Sequence, residues 1–196
     1  SNLKTSSQIT DIINTHPGDK IGVALEDVSS GQALTYGSTD DFDAASTGKV
    51  IMAAACLSSA EHGTFAITPQ TTYQIRTMIN QSSNESWHAR TDTLGYPALQ
   101  AFSQSHGIRY ETPGNKISAV MMAHTMAKLY NNELTTPEHT QQILSYMQNT
   151  IDDSLIPAAV PGNLTVYHKY GDADDNLHDA AIITNSTRTY ALVIYT

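Results

Sequence analysis

The chain has 196 residues, of which 40% are hydrophobic, and its formal net charge is −9. This length and composition are ordinary for one globular domain with a sizeable core. The acidic balance, with a pI near 5.1 and no basic stripe, argues against a nucleic-acid partner. No stretch approaches the length of an apolar transmembrane helix. We therefore predict a single domain over residues 1–196 without a transmembrane segment.

Strand patterns lie at both ends of the chain, and helical patterns lie between them. A short amphipathic helix is predicted at 7–15, followed by a hairpin of strands at 21–28 and 33–36. Helical periodicity then predicts a helix beginning at Ser46 and further helices at 96–105, 118–131 and 137–149. Strands resume at 164–170, 180–184 and 190–195. This order predicts an α+β fold, in which an antiparallel sheet is formed from the N- and C-terminal strands with helices packed on it.

The segment Ser46-Thr47-Gly48-Lys49 is the first candidate site. Residues 50–57 are apolar on every side, which is typical of a buried helix. With Ser46 in the first turn, Lys49 lies three residues later on the same face and can reach its hydroxyl. A lysine that is desolvated beside other cations can lose its proton and activate a serine nucleophile. The alternative is that Ser46 is an N-cap and Lys49 a solvated lysine.

Two further short motifs follow, Ser82-Ser83-Asn84 and Lys169-Tyr170-Gly171. Each is weak alone, because Ser1-Asn2-Leu3-Lys4 and Lys20-Ile21-Gly22 repeat two of the patterns outside the expected order. The ordered set Ser-x-x-Lys, Ser-x-Asn and Lys-x-Gly resembles that of the penicillin-recognising serine enzymes, the class A β-lactamases and the penicillin-binding proteins. The resemblance covers nearly the whole chain and implies a shortened β-lactamase/DD-peptidase-like fold.

The resemblance implies a role for each residue of the first two motifs. Ser46 would attack an amide carbonyl, and Lys49 would act as its base. Ser82 would lie on a loop facing Ser46 and relay a proton to the leaving nitrogen. Asn84 would hydrogen-bond the substrate amide.

The third motif would form the substrate-binding strand. Lys169 would supply a fixed positive charge, and Gly171 would let the substrate backbone approach the strand edge. The N–H of Asp172 would complete an oxyanion hole with that of Ser46. The family usually has Thr or Ser where this chain has Tyr170. The small hydroxyl of that Thr or Ser binds the substrate carboxylate. The Tyr170 phenol either donates the same hydrogen bond from farther away or fills the pocket, so ordinary β-lactams are expected to fit poorly.

Two departures from the family concern the shape of the molecule. The segment between Ser46 and Ser82 holds room for one helix and a turn, which predicts a low, open rim around the site. The sequence stops at Thr196, where relatives usually add a helix across the sheet. A partly bare, apolar sheet face is therefore expected.

A third departure concerns the loop at 107–118, between the second and third motifs. Its Arg109-Tyr110-Glu111 and Asn115 resemble the loop of class A β-lactamases that carries the deacylating glutamate, although this segment is much shorter. Glu111 is therefore either a water-activating base or a solvated turn residue beside Pro113-Gly114.

No cofactor or metal is predicted. The eight histidines are scattered and show no metal-binding spacing. The acidic segment 172–179 is interpreted as a solvated turn rather than a calcium loop. The single cysteine, Cys56, lies in the apolar helix and is interpreted as a packed core thiol.

These observations predict a class A β-lactamase-like serine hydrolase that forms an acyl-enzyme with a β-lactam or with a peptidoglycan stem peptide. Two alternatives stay open. One is a penicillin-binding peptidase that is acylated and then releases its acyl group slowly, and the other is a non-catalytic envelope-binding module that keeps the fold. The resemblance implies an exported protein of the cell envelope or the extracellular space, with its signal or anchor outside this sequence. We expect a monomer.

Overall fold

The computed structural model describes residues 2–196, and describes side chains from residue 4 onward. A 3-10 helix, Ala45–Thr47, separates β3 from α2. In chain order the other elements are α1 (Asn2–Asn14), β1 (Gly22–Asp27), β2 (Ala33–Gly37), β3 (Asp41–Asp43), α2 (Gly48–Glu61), α3 (Pro69–Asn80), α4 (Asn84–Leu94), α5 (Tyr96–Ser105), β4 (Lys116–Ser118), α6 (Ala119–Tyr130), α7 (Pro137–Tyr146), α8 (Ile156–Ala159), β5 (Thr165–Ala173), β6 (Asn176–Thr184) and β7 (Thr189–Tyr195).

The main sheet joins the two ends of the chain. Its five strands lie in the order β2-β1-β7-β6-β5, and each neighbouring pair is antiparallel. The first and last strands meet where Ala24 of β1 pairs with Val193 of β7. Strand β5, which carries the third motif, lies at an edge. The α+β prediction, with a sheet built from both termini and helices packed on it, is confirmed.

Helix α2 forms the centre of the helical layer. Its residues from Val50 to Leu57 have no exposed surface, because α3, α4, α5 and α7 all pack against it. Helix α6 covers the sheet itself and contacts β1, β6 and β7. Although α2 is apolar on every side, no helix described in residues 2–196 is long and apolar enough to cross a membrane.

Two helices near the site were not predicted. The segment between Ser46 and Ser82 contains α3 as well as α2, so the expectation of one helix and a turn is wrong. Helix α4 starts directly at Asn84. Both helices carry a capping signal, because Thr68 accepts a hydrogen bond from the Thr71 N–H and Ser83 accepts one from the Ser86 N–H.

The interpretation of residues 172–179 as an acidic turn is also wrong. Strand β5 continues to Ala173, and β6 begins at Asn176. Only Asp174 and Asp175 turn the chain, and Asp174 has a φ of 52°. The hairpin pairs Asp172 with Leu177, and Asp179 lies buried in β6, so these two acidic residues belong to the sheet rather than to an open loop.

The sheet face opposite α6 carries an apolar groove of about 980 Å³ beside α1. Apolar side chains from α1, β1 and β7 line it, including Ile9, Ile13, Val23, Leu192 and Ile194. This groove matches the sequence expectation of a partly bare, apolar sheet face.

The central position of α2 predicts how core and surface truncations differ. Leu57→Ala should lower the free energy of unfolding by about 2–5 kcal/mol, because it opens a cavity among four helices. The matched change Leu34→Ala, at a side chain that is 53% exposed, should alter it by about 0.5 kcal/mol or less. Urea unfolding measures both values, and equal effects would contradict the placement of α2.

Candidate active site

Ser46, the candidate nucleophile, lies in a turn that is held by hydrogen bonds. Ser46 is in the 3-10 helix just before α2 rather than in the first turn of α2 itself. The next residue fixes this turn, because the Thr47 hydroxyl donates to the carbonyl of Ala44 at 2.6 Å. The same hydroxyl oxygen lies 2.7 Å from the hydroxyl of Tyr195, which must therefore act as donor. The last strand thus holds the turn that presents Ser46.

The backbone before Ser46 is strained and is held by a side chain from the loop at 107–118. Ala45 has a φ of 48°, a conformation that costs a residue with a Cβ of order 1–3 kcal/mol. The amide nitrogen of Asn115 donates to the Ala45 carbonyl at 3.0 Å and to Asp43 Oδ1 at 3.3 Å. The Tyr110 hydroxyl donates to the amide oxygen of Asn115 at 2.5 Å. This network stabilises the strained turn, and sequence reasoning did not find it.

Lys49 joins the first two motifs. Its Nζ lies 3.1 Å from Ser46 Oγ and 2.8 Å from Asn84 Oδ1. It also lies 2.8 Å from the carbonyl oxygen of Ser82 and 3.2 Å from Ser82 Oγ. Burial lowers the pKa of Lys49 to about 8. A neutral amine in contact with a serine hydroxyl can act as a general base.

Ser82 lies between two lysines. Its Oγ accepts hydrogen bonds from Lys49 Nζ at 3.2 Å and from Lys169 Nζ at 3.1 Å. Its φ of 55° holds it in the left-handed region. Since the oxygen accepts from both amines, the hydroxyl proton is free to point in a third direction. A group placed there could receive that proton.

Lys169 has no exposed surface. Besides Ser82, its Nζ donates to the carbonyl oxygen of Tyr170 at 2.8 Å. Burial and the charge of Lys49 lower the pKa of Lys169 to about 7, although Asp179 and Asp152 act in the opposite direction. The structure thus brings all three motifs together around the Ser82 hydroxyl.

The N–H of Asp172 faces the free edge of β5. Leu177, its partner on β6, donates its own N–H away from β5 to the carbonyl of Thr196. In an antiparallel pair both backbone groups of a residue point to the same side, so Asp172 and Leu177 do not bond each other. The carbonyl of Tyr170, two residues earlier, likewise points outward to Lys169. The Asp172 N–H is therefore available beside the 3-10 helix.

Gly171 lets the turn that carries Ser46 approach this edge. A Cβ at position 171 would lie 3.0 Å from the Ser46 nitrogen and 3.1 Å from the Ala45 Cβ, which is closer than most real contacts. The family resemblance predicts that this glycine lets a substrate backbone approach the strand. In the structure its missing side chain admits the turn that carries Ser46.

A sequence model described as the beta-lactamase enzyme family matches residues 4–100 and 77–196. The chain belongs to this family. No match is found among curated protein sequences.

Solved β-lactamase-family structures have the same fold. A mutant of the class A β-lactamase of the last common ancestor of Gram-negative bacteria is 21% identical, with a TM-score of 0.85 over 97% of this chain and 88% of that one. An acyl-enzyme complex of a PBP-A mutant with penicillin G is 21% identical, with a TM-score of 0.87 over 98% and 87% of the two chains. The chromosome-encoded β-lactamase of Vibrio parahaemolyticus is 18% identical, with a TM-score of 0.85 over 97% and 89%.

Glu111 of this β-lactamase-family chain lies in a tight turn. Its backbone pairs with Lys116 through hydrogen bonds of 2.9 and 3.0 Å. Its side chain is exposed and folds over Gly114, where a Cβ would lie 2.8 Å from Glu111 Oε1. Among residues 2–196, its carboxylate makes no hydrogen bond to Ser46 or Lys49.

Other groups that the sequence singled out lie outside the site. Within residues 2–196, no three His, Cys, Asp or Glu side chains converge to hold a metal ion. Cys56 is buried in α2, and burial raises the pKa of its thiol to about 12. The thiol is therefore protonated at neutral pH.

A buried histidine supports the strand that carries Lys169. His168 Nδ1 lies 2.8 Å from Asp179 Oδ1, and His168 Nε2 lies 2.8 Å from Asp153 Oδ1. Both ring nitrogens face carboxylates, so both must carry a proton. Asp179 also accepts a hydrogen bond from the Ile156 N–H at 3.0 Å. This clamp of Asp153, His168 and Asp179 ties β5 and β6 to the segment before α8.

The clamp predicts a pH-dependent stability. Burial lowers the pKa of His168, but hydrogen bonds and charges from Asp179 and Asp153 outweigh it and raise that pKa above its ordinary value. The clamp is therefore fully stabilising below the unfolded-state pKa, near 6.5, and its contribution is lost as pH rises through the folded-state pKa. His168→Gln should cost about 1.5–3 kcal/mol at pH 6 and less at pH 9.

Urea unfolding of the parent and the His168→Gln variant from pH 5.5 to 9 measures this difference. Asp153→Asn removes one of the two carboxylates, so it should move the loss of stability to lower pH. A cost of His168→Gln that does not change with pH would contradict a charged clamp.

Proposed function

We propose that this chain is a serine hydrolase that attacks an amide carbonyl through Ser46 and forms an acyl-enzyme. The observation that supports this most is the contact of 3.1 Å between Lys49 Nζ and Ser46 Oγ. A buried amine with a pKa lowered to about 8 is partly neutral near physiological pH. A solvated first-turn lysine would have neither property.

The acylation step follows from the positions of these groups. Lys49 takes the hydroxyl proton as Ser46 Oγ bonds to the carbonyl carbon, and the carbonyl electron pair moves to its oxygen. The N–H groups of Ser46 and Asp172 are the candidate donors to that oxyanion. When the C–N bond breaks, Ser82 gives its proton to the leaving nitrogen and regains one from protonated Lys49. The product is an ester of Ser46.

The substrates we propose are a β-lactam or a peptide of peptidoglycan. Membership of the β-lactamase enzyme family supports this choice, as does the likeness in fold to a PBP-A mutant captured as an acyl-enzyme with penicillin G. Such substrates are met at the cell envelope, where we propose that the protein acts. The contacts among Ser46, Lys49 and Ser82 disfavour a module that binds without reacting.

A second candidate is a penicillin-binding enzyme that releases its acyl group slowly. Hydrolysis of the Ser46 ester needs a base that directs water to the ester carbonyl. Glu111 would be that base in a β-lactamase, but its exposed carboxylate folds over Gly114. This position favours the slow acylator.

Acyl-enzyme formation is tested by incubating the protein with benzylpenicillin and, separately, with its methyl ester, and following intact mass. The parent should gain the mass of one acyl group, and Ser46→Ala should gain none. The matched control is Ser58→Ala, which changes a largely buried serine of α2, the helix that follows Ser46. This variant should react like the parent. An adduct on Ser46→Ala would contradict the proposed nucleophile.

The same assay tests the base. The acylation rate should rise with pH through about 8, as Lys49 loses its proton. Lys49→Ala should slow acylation by about 10²- to 10⁴-fold and remove this pH dependence. A pH profile that is unchanged in Lys49→Ala would assign the titration to another group.

The decay of the adduct separates the two candidate functions. The position of Glu111 predicts a long-lived adduct in the parent and a decay rate that Glu111→Gln changes by less than about threefold. A catalytic base would instead contribute about 10²- to 10⁴-fold. Glu138→Gln, at an exposed residue of α7, is the matched control. Rapid decay that is lost only in Glu111→Gln would establish the β-lactamase mechanism.

A further inference from the structure

Every N–H group of Lys169 already has a partner within the protein. An ammonium group has three N–H donors. Lys169 Nζ lies 3.1 Å from Ser82 Oγ, 2.8 Å from the Tyr170 carbonyl oxygen and 3.7 Å from the centroid of the Tyr170 ring. The last distance is well within cation–π range. Since Lys169 has no exposed surface, no donor of this ammonium is left for a ligand.

The Tyr170 ring lies against the Lys169 ammonium. Tyr170 is 7% exposed, and its ring centroid lies 6.2 Å from that of the clamped His168. The Tyr170 ring therefore contacts the Lys169 ammonium and lies close to a fixed imidazole. This ring therefore belongs to a strand of the sheet rather than to a loop.

The Tyr170 hydroxyl is buried, and no group described in residues 2–196 forms a hydrogen bond with it. Burial and the charge of Asp152 raise the pKa of Tyr170, while the nearby Ser82 hydroxyl acts in the opposite direction. The two hydroxyls are thus close without meeting hydrogen-bond geometry. The phenol therefore remains neutral and buried.

Two carboxylates also act on Lys169. Asp179 and Asp152 both act electrostatically on the Lys169 ammonium, and Asp152 and Asp153 both act on Tyr170. A ligand carboxylate brought to this position would meet these like charges. It would also have to displace an aromatic ring to reach the ammonium.

We propose that Tyr170 covers Lys169, closes the position where a ligand carboxylate would meet that ammonium, and selects an acyl donor that is uncharged beside the scissile bond. Such donors are esters and amides within a chain, rather than an amide next to a terminal carboxylate. This inference rests on the acyl transfer proposed above.

The test compares binding of benzylpenicillin, which carries a carboxylate, with binding of its uncharged methyl ester. Both are titrated by calorimetry into Ser46→Ala, which keeps the pocket but lacks the nucleophile. The ester should bind at least about threefold more tightly than the acid, because the carboxylate of the acid gains no contact with the covered ammonium and meets like charges. Adding Tyr170→Thr uncovers Lys169, so the acid should then bind about 10- to 100-fold more tightly than the ester, as expected for one charge-assisted hydrogen bond.

Two further variants in the same Ser46→Ala background separate the ring from the hydroxyl. Tyr170→Phe keeps the cover and should leave the acid-to-ester ratio unchanged. Tyr167→Thr removes a half-buried tyrosine of the same strand and should do the same. An acid preference in Ser46→Ala that is lost in Tyr170→Phe would show that the phenol itself binds carboxylates and would overturn the inference.

Failure of this inference and failure of the proposed function give different results. If no probe acylates any chain that retains Ser46, the proposed function fails, while the binding ratios still decide the role of Tyr170. If Tyr170→Thr brings no gain in acid binding over the ester, the cover is refuted whether or not the parent is acylated. Urea unfolding of each variant verifies that the pocket compared is a folded one.

Discussion

Two buried amines share one serine hydroxyl, and the rest of the site depends on this arrangement. Removing two positive charges from water is costly unless polar groups replace the solvent. For Lys49 these groups are the carbonyl of Ser82 and the amide oxygen of Asn84, and for Lys169 they are the carbonyl and ring of Tyr170. The remaining cost appears as pKa values lowered to about 8 and about 7. Proton transfer near neutral pH requires amines in that range.

Strands β6 and β7 make this arrangement rigid. Beside the turn that carries Ser46, the Nε2 of His178 lies 2.7 Å from the carbonyl of Asp43, and its Nδ1 accepts a hydrogen bond from the Thr196 N–H. The proton must therefore be on Nε2, and burial lowers the pKa of His178, which keeps the ring neutral. With the bond between Tyr195 and Thr47, these contacts link β6 and β7 to the turn before α2. The strain at Ala45 persists because its surroundings hold it.

The sequence predicted the parts of the site that depend on local spacing. Ser46 and Lys49 are three residues apart, and the strand around Lys169 shows a clear alternation, so their local structure could be derived. Helix α4 was missed because its polar sequence shows little apolar periodicity. Helix α3 was overlooked although its buried Ile75, Met78 and Ile79 have helical spacing, and the caps of both helices could have indicated them. The contact of Asn115 with Ala45 and the clamp around His168 could not be derived. These pairs join distant segments, and no local pattern encodes them.

Tyr170 shows how one side chain can separate two properties of a lysine. A cation that binds an anion must keep its charge and present a free N–H, whereas a cation that handles protons must be able to lose its charge. The aromatic cover denies Lys169 any ligand contact and helps to keep it dry, and burial is the largest cause of its lowered pKa. A cation–π contact of this kind also offsets part of the cost of burial, by about 0.5–2 kcal/mol. The same ring therefore directs Lys169 away from anion binding and towards the hydroxyl of Ser82.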